Sequence, residues 1–141
     1  MDQDIIYTSG FFDGEGNIHM ALDKRVNPPR VVLMVTITNT RKDVLDWFED
    51  QFGGNVILVN PNPKQGHKKG YNWRLYSRSA CKFLRLIYPY LRLKKEQTRI
   101  AITLYDIKNQ RGKRRTQVEV DRRMKIREMV NSMNTEFFNN P

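Results

Sequence analysis

A chain of 141 residues can bury roughly two-thirds of the surface that its unfolded form exposes, so one domain spanning 1–141 is expected to hold together without a disulfide framework. One cysteine, no run of about 18 apolar residues and an acidic start (Met1-Asp2-Gln3-Asp4) exclude a disulfide-rich secreted scaffold and a membrane span, and predict an intracellular setting, cytoplasmic or organellar. The formal charge of +10 is segregated: residues 1–63 carry 5 Lys/Arg against 9 Asp/Glu, residues 64–127 carry 20 against 4, and 128–141 carry only 2 acids. So positive a segment implies an anionic partner, and nucleic-acid phosphate is the commonest one.

Asp4 is suited to cap a helix over about 5–13, with Gly14 and Gly16 providing a positive-φ exit. Residues 17–23 alternate, with Ile18, Met20 and Leu22 on one side and Asn17, His19, Ala21 and Asp23 on the other, the pattern of a strand with one buried face. Asn27-Pro28-Pro29 breaks the chain before a β-branched strand over 31–38, predicting a hairpin. Thr40 and Asp43 resemble a capping box, after which Val44, Leu45, Phe48 and Phe52 form a helical stripe that stops at Gly53-Gly54. Strands over 55–59 and 71–76 flank a long loop containing Lys68 and Lys69. Ser79 then precedes a helix with Ala80, Phe83, Leu84 and Ile87 at helical spacing, ended by Pro89. Another helix is expected over about 94–108, with Gln97, Ile100, Ala101, Leu104 and Ile107 inward; a last one, over about 116–133, follows Arg111-Gly112-Lys113-Arg114-Arg115.

Two hairpins, each followed by a helix, predict an α+β domain in which helices pack on a single face of an antiparallel sheet. The other face would carry Asn17, His19, Ala21 and Asp23, then Arg30, Thr36 and Thr38, then Asn72, Arg74 and Tyr76. These polar, guanidinium and phenol groups suit base edges and phosphates, and Lys68 and Lys69 join them as DNA-binding candidates; alternation alone fits a solvated face equally well.

The densest chemistry lies in Thr8-Ser9-Gly10-Phe11-Phe12-Asp13-Gly14-Glu15-Gly16. Glycine inside a helix costs about 1 kcal/mol relative to alanine, so Gly10 suggests close approach by another element. Ile6, Gly10 and Asp13 share one helix face; packing that face on a second copy would bring both Asp13-Gly14-Glu15 ends to a two-fold axis. Carboxylates gathered there beside phosphate suit octahedral Mg²⁺.

The stretch Gly10-Phe11-Phe12-Asp13-Gly14-Glu15-Gly16 resembles the core of the LAGLIDADG motif of homing endonucleases. Ile37-Thr38-Asn39-Thr40 is similar to that family's strand end before the second helix, and Tyr88-Pro89-Tyr90-Leu91-Arg92-Leu93-Lys94-Lys95-Glu96-Gln97 to its Pro-aromatic-Leu-x-x-Lys-x-x-Gln segment. The αββαββα order also matches, so the resemblance covers about residues 4–108 and leaves a basic loop and extra helix, 109–141, outside it. It implies a saddle-like sheet, Glu15 as the metal ligand assisted by the Gly14 carbonyl, Asp13 tying the two motif helices together, Asn39 positioning water and Lys94 near the scissile phosphate. Mg²⁺ would be the cofactor, Mn²⁺ a substitute, and Ca²⁺ would bind without supporting cleavage. Arg41 and Lys42 are weaker candidates at the same sheet end.

Two departures stand out: Thr8-Ser9 replaces a hydrophobic-small pair, making the helix interface more polar, and Glu15 stands where the motif's name has Asp. A single motif implies an intron-encoded homodimer that cuts both strands of a long, roughly palindromic duplex. The alternatives are a non-cleaving relative, either an intron maturase or a regulator, and a basic structural RNA-binding protein.

Overall fold

The computed structural model describes residues 2–59, 69–106 and 115–139. Lys68, Ile107, Lys108 and the run 111–114 lie outside the described residues. In chain order, α1 (Gln3–Glu15) leads into β1 (Gly16–Asp23) and β2 (Arg30–Asn39), α2 (Lys42–Phe52), β3 (Asn55–Leu58), β4 (Tyr71–Tyr76), α3 (Ser77–Ile87), α4 (Lys95–Ile102) and α5 (Gln117–Asn139). The sheet is antiparallel throughout, in the order β1-β2-β4-β3. The αββαββα plan and the C-terminal helix are therefore as the sequence predicts.

Alternation decides which face is covered. Ile18 and Met20 of β1, Leu33, Val35 and Ile37 of β2 and Trp73 of β4 are fully buried against Phe12, Leu45, Phe48, Leu84 and Ile87 of the helices. Trp73 stacks among Phe48, Phe52 and Phe83 and donates its indole N–H to the Gly53 carbonyl at 2.8 Å, so this large ring brings no unpaired polar atom into the core. Gly53 and Gly54 both adopt positive φ, and a Cβ on Gly54 would strike the Arg74 carbonyl, which accounts for the paired glycines at the α2 exit.

The helix ends differ from expectation in several places. Asp2, rather than Asp4, caps α1, accepting from the Asp4 amide at 2.9 Å, because that acceptor lets the helix start two residues earlier than expected. Gly14 is helical, and the exit at Gly16 is extended (φ −82°); glycine is needed there because a Cβ would enter the Phe12 ring. The Thr40–Asp43 capping box does not form. Arg41 rather than Thr40 takes the N-cap position with its amide on Asn39 Oδ1 at 2.8 Å, and the Asp43 carboxylate is engaged by the Arg41 guanidinium. Helix α3 starts at Ser77, which has φ 54°, two residues before Ser79. Helix α4 closes at Ile102 and gives way to a 3₁₀ turn over Thr103–Tyr105. Thr8 and Ser9 are buried within the chain, with the Ser9 hydroxyl donating to Ile5 O, so they do not make the outer face of α1 polar.

Helix α5 closes the outer edge of β1 with side chains. Asn131 accepts from Met20 N and donates to Met20 O, both at 2.9 Å; Arg127 also donates to Met20 O, and Asn134 donates to Ile18 O at 2.7 Å. Gln97 of α4 reaches the same place, donating to Val130 O and Asn134 Oδ1. An edge strand otherwise presents a row of unpaired amides and carbonyls to any second strand. Asn131→Leu is expected to lower the unfolding free energy by about 2 kcal/mol and to promote association at high concentration. Thermal unfolding and light scattering check this; an unchanged midpoint in a monodisperse sample would contradict it.

Candidate functional site

The Asp13-Gly14-Glu15 end of α1 is pinned to the start of α4. Both Asp13 carboxylate oxygens accept main-chain hydrogen bonds, from Arg92 N at 2.7 Å, Leu93 N at 3.1 Å and Lys94 N at 2.9 Å. Two of these amides precede α4 and the third belongs to its N-cap residue, Lys94, so Asp13 fixes the approach of the chain to that helix. In return Lys94 Nζ donates to the Asp13 carbonyl at 2.7 Å. Asp13 is thus bound to residues 92–94 of its own chain.

Lys94 is only 9% exposed, and burial lowers its pKa below the ordinary 10.5 while Asp13 and Glu15 pull it back up. A lysine that holds its proton less tightly folded than unfolded contributes stability that rises with pH, from its folded pKa up to 10.5. Glu15 is exposed on the last residue of α1, and nothing stands within 4 Å of where a Gly14 Cβ would be. Gly16 pairs with Ile37, so Asn39, two residues further along β2 and half-buried, lies at the same sheet end as Glu15. Arg41 and Lys42 are held in exposed ion pairs with Asp43 and Asp46. Among the described residues no three His, Cys, Asp or Glu side chains come together as a metal site.

The outer side of α1 is open. Ile6 is 43% exposed, and a Cβ on Gly10 would meet nothing within 4 Å. Ile6, Gly10 and Asp13 line a shallow cleft of about 540 Å³ with Pro89, Tyr90, Leu91, Arg92 and Lys95.

On the open face of the sheet the pairing register builds cross-strand rows: Asn17, Thr36, Arg74 and Asn55 in one, Thr38, Asn72 and Ile57 in the next, and His19, Met34 and Tyr76 on the other side. Ala21 lies beside Val32, and Asp23 beside Arg30. Side-chain hydrogen bonds and an ion pair from Arg25, with Arg30 adding to them, hold the Asp23 carboxyl well below the usual carboxylate range. Asn72 is almost buried, donating to Thr38 Oγ1 at 2.7 Å and accepting from Arg74 Nε. Lys69, just before β4, is exposed; Lys68 falls outside the described residues.

A scan of family models and a search of curated proteins find no match to this sequence. Solved structures do match. The archaeal intron-encoded homing endonuclease I-Vdi141I, solved with DNA, superposes with a TM-score of 0.69 over 92% of this chain and 82% of its own, at 19% identity. The chain has the LAGLIDADG endonuclease fold. Meganuclease I-SmaMI bound to uncleaveable DNA matches with a TM-score of 0.70 at 14% identity, over 94% of this chain but 46% of its own. I-CvuI, solved with its target in the presence of calcium, matches with a TM-score of 0.59 at 18% identity, over 73% of this chain and 66% of its own. The chain therefore spans just under two-thirds of I-CvuI and under half of I-SmaMI. The superposition on I-Vdi141I leaves under a tenth of this chain unmatched, so the likeness to this LAGLIDADG fold reaches past residue 108.

Several partnerships escape a reading of the sequence. The amides of 92–94 carry no side-chain signature, and Asn72 is indistinguishable from a base-contacting amide until its neighbours are placed. Arg127, Asn131 and Asn134, at i, i+4 and i+7, do form a polar helical stripe that could have marked contact with a strand edge.

Proposed function

We propose that two copies of this chain, joined through the exposed side of α1, bind duplex DNA along their open sheet faces and hydrolyse one phosphodiester in each strand at a metal-dependent site built on Glu15. The observation that carries this reading is the pinned end of α1, with exposed Glu15 beside Lys94 at the sheet end where the open face begins. The coverage of I-SmaMI supports the two-copy arrangement: one copy of this chain accounts for nearly half of a chain of that fold, which leaves room for a second.

The donor set fits magnesium. Asp13 is occupied, so each copy offers the hard carboxylate of Glu15 and the exposed Gly14 main chain; Mg²⁺ is commonly held by one or two carboxylates plus phosphate oxygens and water. When bound there, the metal supplies charge for water activation and for the leaving oxygen. The Lys94 ammonium, largely buried and close enough to Glu15 to feel its charge, adds positive charge where the phosphorane develops. Asn39 has its amide oxygen engaged by Arg41 N, which leaves its NH₂ to orient a solvent molecule.

The test is cleavage of a duplex made by joining the two flanks of the host insertion, in Mg²⁺ and in EDTA, together with sedimentation. Mg²⁺-dependent double-strand cleavage by a dimer is expected; binding without cleavage in any divalent metal would favour a non-cutting regulator. Gly10→Leu places a branched side chain where a second helix would pack, and is expected to give a monomer that cuts at least tenfold more slowly. An intact, active Gly10→Leu dimer would refute the α1 axis.

A further inference from the structure

Resting on the reading that the open sheet face meets the major groove, we infer that Arg74 reads a guanine in each half-site and that Asn72 fixes the geometry in which it does so. Asn72 lies beside Thr38 on β2 and two residues from Arg74 on the same face of β4. Its NH₂ donates to the Thr38 hydroxyl at 2.7 Å, and its carbonyl oxygen accepts from Arg74 Nε. Asn72 as a whole is only 7% exposed and both ends of its amide are engaged, so it has little left for a base. Arg74 is half-buried, and its two terminal nitrogens donate to nothing among the described residues.

A guanidinium held by Nε keeps the Nη1/Nη2 fork directed outward, which removes most of the rotamer freedom that an arginine otherwise loses on binding. That fork matches two adjacent acceptors. In the major groove, guanine presents O6 and N7 as such a pair, whereas adenine replaces one of them with an amino donor, and cytosine and thymine offer no such pair. Phosphate also accepts an arginine fork, but Arg74 sits on the inner strand β4, between β2 and β3, in the row with Asn17, Thr36 and Asn55. A position inside the sheet faces the groove floor; phosphates are met at the rim.

Selection of bound duplexes from a randomised library by the full-length protein in Ca²⁺, followed by sequencing, tests the assignment. Wild type is expected to show one symmetric guanine preference that Arg74→Ala removes, by roughly ten- to a hundredfold, while other positions keep theirs. Arg74→Gln is expected to move that position toward adenine, and Asn72→Ala to weaken the same guanine without touching its neighbours. Circular dichroism establishes that each variant folds. A wild-type consensus that Arg74→Ala leaves unchanged, or weakens equally at every position as a phosphate contact would, overturns the assignment while the nuclease reading stands. No consensus at all for wild type overturns both.

Discussion

Glu15→Gln is expected to reduce DNA cleavage by several orders of magnitude while duplex affinity changes little. The substitution keeps size and hydrogen-bonding reach but removes the charge on the exposed carboxylate that ends α1. The neighbouring carboxylate offers no substitute, because both oxygens of Asp13 already accept the amides of residues 92–94. Affinity should persist, since it rests on the sheet face and the basic segment, and loss of an acid near phosphate removes a repulsion. Single-turnover cleavage in Mg²⁺ and binding in Ca²⁺ separate the two effects. A near-normal cleavage rate would exclude Glu15 as the metal ligand.

Asp13→Ala is expected to damage both stability and cleavage, through positioning. It leaves three main-chain donors without acceptors at the start of α4, and should lower the unfolding free energy by about 3 kcal/mol. The Lys94 ammonium keeps the residue 13 carbonyl as a partner but loses the nearby charge that offsets its burial, so its pKa should fall further and the fraction protonated at alkaline pH should drop. Cleavage should therefore decline at a lower pH in the variant than in wild type, and Asp13→Asn, which keeps one acceptor, should recover part of the stability. Dimer dissociation should respond far less than it does to Gly10→Leu, because both Asp13 oxygens are already taken by the amides of residues 92–94. An Asp13→Ala chain of unchanged stability and pH profile would contradict this role.

Much of the architecture could be read from spacing. The alternation of residues 17–23 and the stripes at Leu45/Phe48 and Phe83/Leu84/Ile87 placed strands and helices because burial of one face is a local pattern. What the sequence concealed is long-range polar satisfaction. Asp13 meets donors 79 to 81 residues away, and Asn131 meets a strand 111 residues away. Thr40 and Asp43 had the right spacing for a cap, yet the helix starts one residue later, at an Arg41 N-cap whose guanidinium takes the Asp43 carboxylate. For the candidate site, Glu15, Lys94 and Asn39 were named from motif likeness, and the fold brings them to one sheet end.

The amide clamp between α5 and β1 also limits how the gene can drift. Asn131 must address both polar groups of Met20 while Arg127, four residues earlier, and Asn134, three later, address the same strand. Each residue added to a helix turns everything beyond it by about 100°. A single-codon insertion between 127 and 131 would swing Asn131 off the strand as surely as deleting its side chain. Substitutions on the outward side of α5 leave that angular phase untouched. Natural variants of this chain should therefore tolerate many spelling changes along the outer side of this helix and few changes in its length.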